Sequence, residues 1–301
     1  MGDIIDQKAQ PQEPPPAYEA GRTAVDAEAG ADTGTDIPNR RRGHRFGKVL
    51  ALLGLSALLL WLSNSGWRTR NVLKAVDRSD LRKRWIDTGS QSLDAEFDLL
   101  DLLSIRSQSG SLNVGINPQP ADEENPVPAE LLIDSHSGSV SVNFATFNAP
   151  ERDYITSIDS HSGSVDGTIL HGRKTSIVSH SGRIDLQLPL HGAGNYKSTL
   201  STTTVSGSQA ITLLSSTRHA GKSITEISSV HRARSGSLTV RYPREWEGTI
   251  EGGTQSGSIR LHGGDIDIIR RSSHDVFARK GNGNSTLNFH TGSGSVDIYF
   301  N

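Results

Sequence analysis

The sequence contains no cysteine. Disulfide bonds, thiolate metal ligands and a cysteine nucleophile are therefore excluded, although the cellular compartment is not fixed by this absence. Aromatic residues make up only 5% of the 301 residues and hydrophobic residues 34%, which predicts a thin core. The net charge of −2 and the lack of a long basic stripe give no reason to expect nucleic acid as a partner.

Long apolar runs are also scarce, and the one that exists lies near the N-terminus. Residues 1–46 are rich in proline and charge and are predicted to be a disordered tail. The segment VLALLGLSALLLWL follows within residues 47–67, and no charge occurs between Val49 and Trp67. These 19 residues would extend about 28 Å as a helix, close to the roughly 30 Å of a hydrocarbon core. We expect a transmembrane helix over residues 47–67; a buried core helix or a signal-peptide core is the alternative.

Basic residues flank this apolar segment equally on both sides, so charge alone does not orient it. A cytosolic N-terminus is favoured because the tail motif described below would be useful only there. Residues 68–95 carry many charges and a few apolar residues at mostly helical spacing. They are predicted to form a charged stalk, as an amphipathic helix on the membrane surface or as a solvated linker.

Glycine is abundant, with 31 residues, and eight Ser-Gly pairs recur at intervals of 19 to 37 residues. Intervals of this size indicate a repeat architecture. Apolar residues alternate with polar ones after most of these pairs, as in Val140-Ser141-Val142, which is typical of half-buried strands. Glycine suits the corner between two strands because it adopts positive φ without a steric penalty. The predicted corner glycines are Gly110, Gly138, Gly163, Gly182, Gly207, Gly236, Gly257 and Gly294.

Stacking of such units predicts an all-β, repetitive β-solenoid over residues 96–301. A β-sandwich with a hairpin at each glycine is the alternative. Two irregularities stand out. Gln209 occupies a position that is apolar in the other repeats, which predicts a slipped or bulged coil, and the interval before Gly294 is unusually long.

The recurring SGSV, SGSL and SGSI corners behind a single N-terminal apolar segment resemble adhesin-type domains of unknown function from bacteria and fungi. The resemblance covers about residues 96–301. It implies a β-solenoid with a binding or surface role, and it brings no catalytic residues with it.

The tail contains Pro15-Pro16-Ala17-Tyr18, which resembles the PPxY ligands of WW domains in HECT-type ubiquitin ligases. Prolines hold a polyproline II helix at low entropic cost, and the tyrosine fills an adjoining pocket. Pro15, Pro16 and Tyr18 are therefore the predicted WW-binding residues, with a plain Pro-rich linker as the alternative. Lys8 is the candidate ubiquitin acceptor because Lys48, the only other lysine before the apolar run that starts at Val49, adjoins the bilayer.

Histidine precedes the corner in three repeats, at His136, His161 and His180, with Asp134 and Asp159 nearby. A catalytic triad is not expected, because Asp134 and His136 face one side of a strand and Ser135 the other. An exposed polar column is favoured over a metal or pH-sensing site. No metal and no cofactor are expected.

Asn284-Ser285-Thr286 is an N-glycosylation sequon, whose use would place the domain in a secretory lumen or outside the cell. Together these features predict a non-enzymatic, single-pass membrane protein with an extracytoplasmic β domain that binds an unknown ligand. Two alternatives remain: a membrane adaptor that selects cargo for a ubiquitin ligase, and a carbohydrate-active β-helix enzyme. The membrane is left open among secretory-pathway, vacuolar and cell-surface membranes.

Overall fold

A computed structural model of the chain describes residues 78–191, 197–215 and 226–301. In these residues a four-residue helix, α1 (Arg78–Leu81), precedes twenty strands. The strands are β1 (Lys83–Asp87), β2 (Leu93–Leu99), β3 (Leu102–Ser107), β4 (Leu112–Pro118), β5 (Ala129–Ser135), β6 (Val140–Phe144), β7 (Tyr154–Ser162), β8 (Val165–Thr168), β9 (Lys174–Ser181), β10 (Ile184–Pro189), β11 (Ser198–Ser206), β12 (Gln209–Leu214), β13 (Ile227–Ser235), β14 (Leu238–Tyr242), β15 (Gly248–Ser256), β16 (Ile259–His262), β17 (Ile266–Arg271), β18 (Asp275–Lys280), β19 (Ser285–Ser293) and β20 (Val296–Phe300).

The strands form two sheets, and one coil of the chain contributes one strand to each. The eleven-stranded sheet has the spatial order β1-β3-β5-β7-β9-β11-β13-β19-β15-β18-β17. The nine-stranded sheet has the order β16-β20-β14-β12-β10-β8-β6-β4-β2. Among the described strands, pairing is parallel except where β18 meets β15 and β17. The domain is therefore all-β with long parallel sheets, which is consistent with a β-solenoid. The antiparallel hairpins that a sandwich would place at the glycine corners do not occur there, because the strands before and after each corner lie in different sheets.

The core lies between the two sheets and is filled by alternate residues of each strand. In β5, for example, Leu131 and Ile133 are buried whereas Asp134 is exposed. This alternation confirms the inward positions that the sequence predicts after the corners. These residues are Val140, Val142, Ile184, Leu186, Leu238, Val240, Val296 and Ile298, each at most 1% exposed.

The corner glycines stack on one another from coil to coil, and all eight have φ between 109° and 150°. At Gly182, where φ is 147°, an added Cβ would also collide with the carbonyl oxygen of Gly163 in the adjacent coil. Two independent constraints therefore select glycine: the backbone conformation and the close approach of the neighbouring corner.

The repeat begins earlier than predicted. Strands β1 and β2 lie within or overlap residues 68–95, which the sequence predicts as a charged stalk. Ile86 packs against the core while Trp85 stays 64% exposed on the outer face. The charged residues of β1 and β2 are accommodated because both are edge strands, whose outer faces are solvated.

The predicted tail (1–46) and apolar span (47–67) lie outside the described residues. Within the three described ranges, no helix combines the length and the apolar character required to cross a membrane.

Candidate functional site

The three corner histidines form a column on the outer face of the eleven-stranded sheet. The rings of His136 and His161 stack with centroids 4.9 Å apart, and His161 and His180 are 5.0 Å apart. All three side chains are exposed, which confirms the predicted polar column. Among the described residues, no group of three or more His, Asp or Glu side chains is arranged to hold a metal ion.

The acids beside this column do not complete a triad. Asp134 and Asp159 share the outer face with the histidines, and Asp159 Oδ1 lies 3.9 Å from His180 Nδ1. Asp134 instead faces Arg106, at 3.7 Å. Ser135 is buried on the inner face, as the strand alternation predicts. No nucleophilic hydroxyl of this strand therefore meets the imidazoles.

A second cluster of polar groups lies inside the core around Gln209. Thr202 Oγ1 donates to Gln209 Oε1 at 2.5 Å and accepts from His231 Nδ1 at 2.7 Å. Because His231 therefore carries its proton on Nδ1, its unprotonated Nε2 accepts from the Tyr242 hydroxyl at 3.0 Å. Gln209 Nε2 also donates to the Arg232 carbonyl. The slipped coil predicted at Gln209 is wrong: Gln209 pairs in register with Ile184 and Leu238, and its amide is satisfied by this network.

Burial fixes the charge state of two core histidines. It lowers the pKa of His231 to about 3 and that of His171 to about 4, because a charged imidazolium would be desolvated there. His171 Nδ1 contacts Thr175 Oγ1 at 2.9 Å. Both side chains are completely enclosed, so they serve the core rather than a surface site.

A concave hollow on the outer face near the C-terminal end is a candidate binding site among the described residues. We call it the C-terminal groove, and its volume is about 270 Å³. It spans β13, β19, β15, β18 and β17. Its exposed polar side chains are those of Arg232, Glu251, Arg270, Asp275, Asn288 and His290.

The strands that line the groove are brought together by the last coil, which is inserted out of sequence order. Strand β19 lies between β13 and β15, and β20 lies between β14 and β16. The antiparallel hairpin β17–β18 then extends the sheet beyond β15. Gly253 has no side chain to fill the outer face at this point, and the Asp275 carboxylate lies over it.

Most polar side chains in the groove have no partner in the part of the chain that the structure describes. Those of Arg232, Glu251, Asn288 and His290 make no hydrogen bond or ion pair with another described residue. Arg270 lies 6.0 Å from the ring centroid of Phe277, and Asp275 Oδ2 accepts a long 3.4 Å bond from Ser272. The groove therefore offers free donors and free acceptors side by side.

The residues predicted from sequence motifs lie elsewhere. Pro15, Pro16, Tyr18 and Lys8 fall outside the described residues. Asn284 is exposed directly before β19, which leaves its side chain accessible. The groove was missed because its lining comes from five strands whose spatial order differs from their chain order; the long interval before Gly294 was the only signal of that difference.

Comparisons of the chain with protein-family models, with curated proteins and with solved structures returned no match. Function therefore has to be inferred from the chain's own residues and geometry.

Proposed function

We propose that this chain is a non-enzymatic, single-pass membrane protein. Its β domain is an adhesin-like binding module outside the cytosol, and its N-terminal tail binds a WW domain of a HECT-type ubiquitin ligase. The apolar segment within residues 47–67 supports the membrane anchor. The exposed position of Asn284 supports the orientation, since its sequon would be accessible to glycosylation.

The observation that carries the binding role is the C-terminal groove with its unpartnered polar side chains. These side chains project from hydrogen-bonded strands rather than from loops, so the backbone positions that carry them are set before a ligand arrives. A preorganised site loses less entropy on binding than a mobile one. Exposed donors and acceptors that have no partner among the described residues are what a polar ligand requires.

A ligase adaptor is the second candidate, and the PPAY motif is the observation that favours it. In this role the tail recruits the ligase, and the β domain selects a neighbouring membrane protein as cargo. Both roles share the same tail contact, so a single experiment tests that contact. Full-length protein in detergent should be captured by an immobilised WW domain, and Tyr18→Ala should abolish capture because the tyrosine fills the pocket.

Ala17→Ser is the matched control, because position x of a PPxY motif is not recognised by its side chain. Capture of Tyr18→Ala at the level of the unaltered protein would reduce PPAY to a Pro-rich linker and remove the ligase from the proposal.

A further inference from the structure

We propose that the C-terminal groove binds one sugar ring of a saccharide. This inference rests on the proposed binding function and names the ligand class for it. The reasons are the balance of charges in the groove, their spatial order, and the size and floor of the hollow.

The charges of the lining cancel. Arg232 and Arg270 contribute two positive charges, and Glu251 and Asp275 contribute two negative charges. A site for an anion would present mainly donors, and a site for a metal cation would present mainly oxygen acceptors. A sugar hydroxyl both donates and accepts, so a ring with several hydroxyls uses both kinds of group at once.

The order of the charges disfavours a zwitterion such as an amino acid. The strands run β13, β19, β15, β18 and β17, so Arg232 and Arg270 lie at the two ends and the carboxylates of Glu251 and Asp275 lie between them. An amino acid carries one positive and one negative charge at different atoms. A groove that binds it requires an acidic side and a basic side in the matching positions. An arrangement with arginines at both ends and acids at the centre has no such polarity.

The size of the groove fits a compact ring. β15 separates β19 from β18, so His290 and Asp275 arise from strands about 9 to 10 Å apart. Gly253 lies between them in register, and the Asp275 carboxylate covers it, so the floor presents acceptor oxygens. The volume of about 270 Å³ is slightly below the roughly 300 Å³ at which pockets for larger organic ligands begin. A single ring therefore fits, with the rest of a glycan extending into solvent.

The test uses the full-length protein in a detergent that has no sugar headgroup. Methyl glycosides of glucose, galactose, mannose and N-acetylglucosamine are the probes, and free glutamate and lysine are the charged comparison. Ligand-observed saturation-transfer NMR at millimolar probe concentration should detect at least one glycoside. Arg232→Ala should weaken its Kd at least tenfold, as expected for loss of a charged hydrogen-bond donor.

Arg234→Ala is the matched control, because Arg234 lies on the same strand and outer face but outside the groove. It should leave the Kd unchanged. Failure of all four glycosides to bind, binding of only the amino acids, or equal effects of both variants would each overturn the saccharide assignment without affecting the WW-domain result. Hydrolysis of a bound glycoside would support the sugar site but contradict the non-enzymatic role.

Discussion

The corner at Gly257 lies directly against the carbonyl oxygen of Gly294, although Gly294 belongs to the last coil of the chain. Gly294 in turn lies against Gly236, so the column of glycines shows the same insertion as the strand order. The C-terminal coil therefore fills an interior position, between coils formed earlier in the sequence. The long interval before Gly294 is explained by the β17–β18 hairpin, which the chain completes before it returns.

Replacing a stacked corner glycine should be costly. In the Gly182→Ala variant, the alanine would have to adopt a φ near 147°, and its Cβ would lie against the Gly163 carbonyl. We expect the free energy of unfolding to fall by about 2 to 4 kcal/mol. Urea unfolding measures this loss. Gly264→Ala is the control, because nothing lies within 4 Å of an added Cβ at that exposed glycine; equal stability of the two variants would refute the stacked corner.

The inserted coil should be held by its final aromatic residue. Phe300 is 4% exposed and packs on Tyr242 and Trp246, with ring centroids 5.7 and 5.1 Å apart. Phe300→Ala should destabilise the domain by about 3 to 5 kcal/mol, measured by chemical unfolding. Ile269→Ala should cost little, because Ile269 is 55% exposed on an edge strand. A small effect of Phe300→Ala would show that the last coil is not part of the cooperative core.

The inward residues of each coil were predictable from the sequence. After a glycine corner, polar and apolar residues alternate, and only the apolar set can face the core. Val140 and Val296, in widely separated coils, follow this rule equally. The place of the last coil was not predictable, since the corners at Gly257 and Gly294 have the same local sequence pattern and parallel pairing is set by long-range contacts.

Gln209 shows a second case in which the structure could not be predicted from the sequence. A polar residue in an apolar column indicates a bulge when only its own strand is considered. Its partners Thr202 and His231 come from β11 and β13. That both side chains point into the core beside Gln209 becomes visible only when β11, β12 and β13 are aligned with one another. The groove lining is harder still, because outward residues carry no periodic signal that separates a site from an ordinary solvated face.

The buried histidines should make the domain sensitive to acid. Their pKa values in the folded state, about 3 for His231 and about 4 for His171, are below the ordinary value of 6.5. The unfolded chain therefore binds more protons than the folded one as the pH falls from about 6.5 towards 4 for His171 and towards 3 for His231. Stability present above pH 6.5 is lost across this window, on the order of 3 kcal/mol for His171.

Urea unfolding at a series of pH values tests this dependence. His171→Gln should show a shallower loss between pH 6.5 and 4, because no imidazole remains to be protonated on unfolding. His161→Gln, at an exposed position, should keep the slope of the unaltered protein. Parallel slopes for all three proteins would contradict the role of burial.

Turnover should distinguish a ligase substrate from an adaptor. Lys8 lies seven residues before Pro15 in the sequence, within a segment predicted to be disordered. If the protein is itself the substrate, Lys8→Arg should reduce its ubiquitination and lengthen its half-life in a chase experiment. Lys48→Arg is the control. Unchanged modification in Lys8→Arg, together with loss of WW binding in Tyr18→Ala, would favour the adaptor.

The orientation of the chain across a membrane is the central claim, and protease protection of sealed vesicles tests it most directly. Protease added to sealed vesicles whose cytosolic face points outward should remove the tail with Tyr18 and leave residues 68–301 intact. The protected fragment should shift in mobility on endoglycosidase treatment, and Asn284→Gln should abolish that shift. Digestion of the β domain in vesicles that remain sealed would contradict the account.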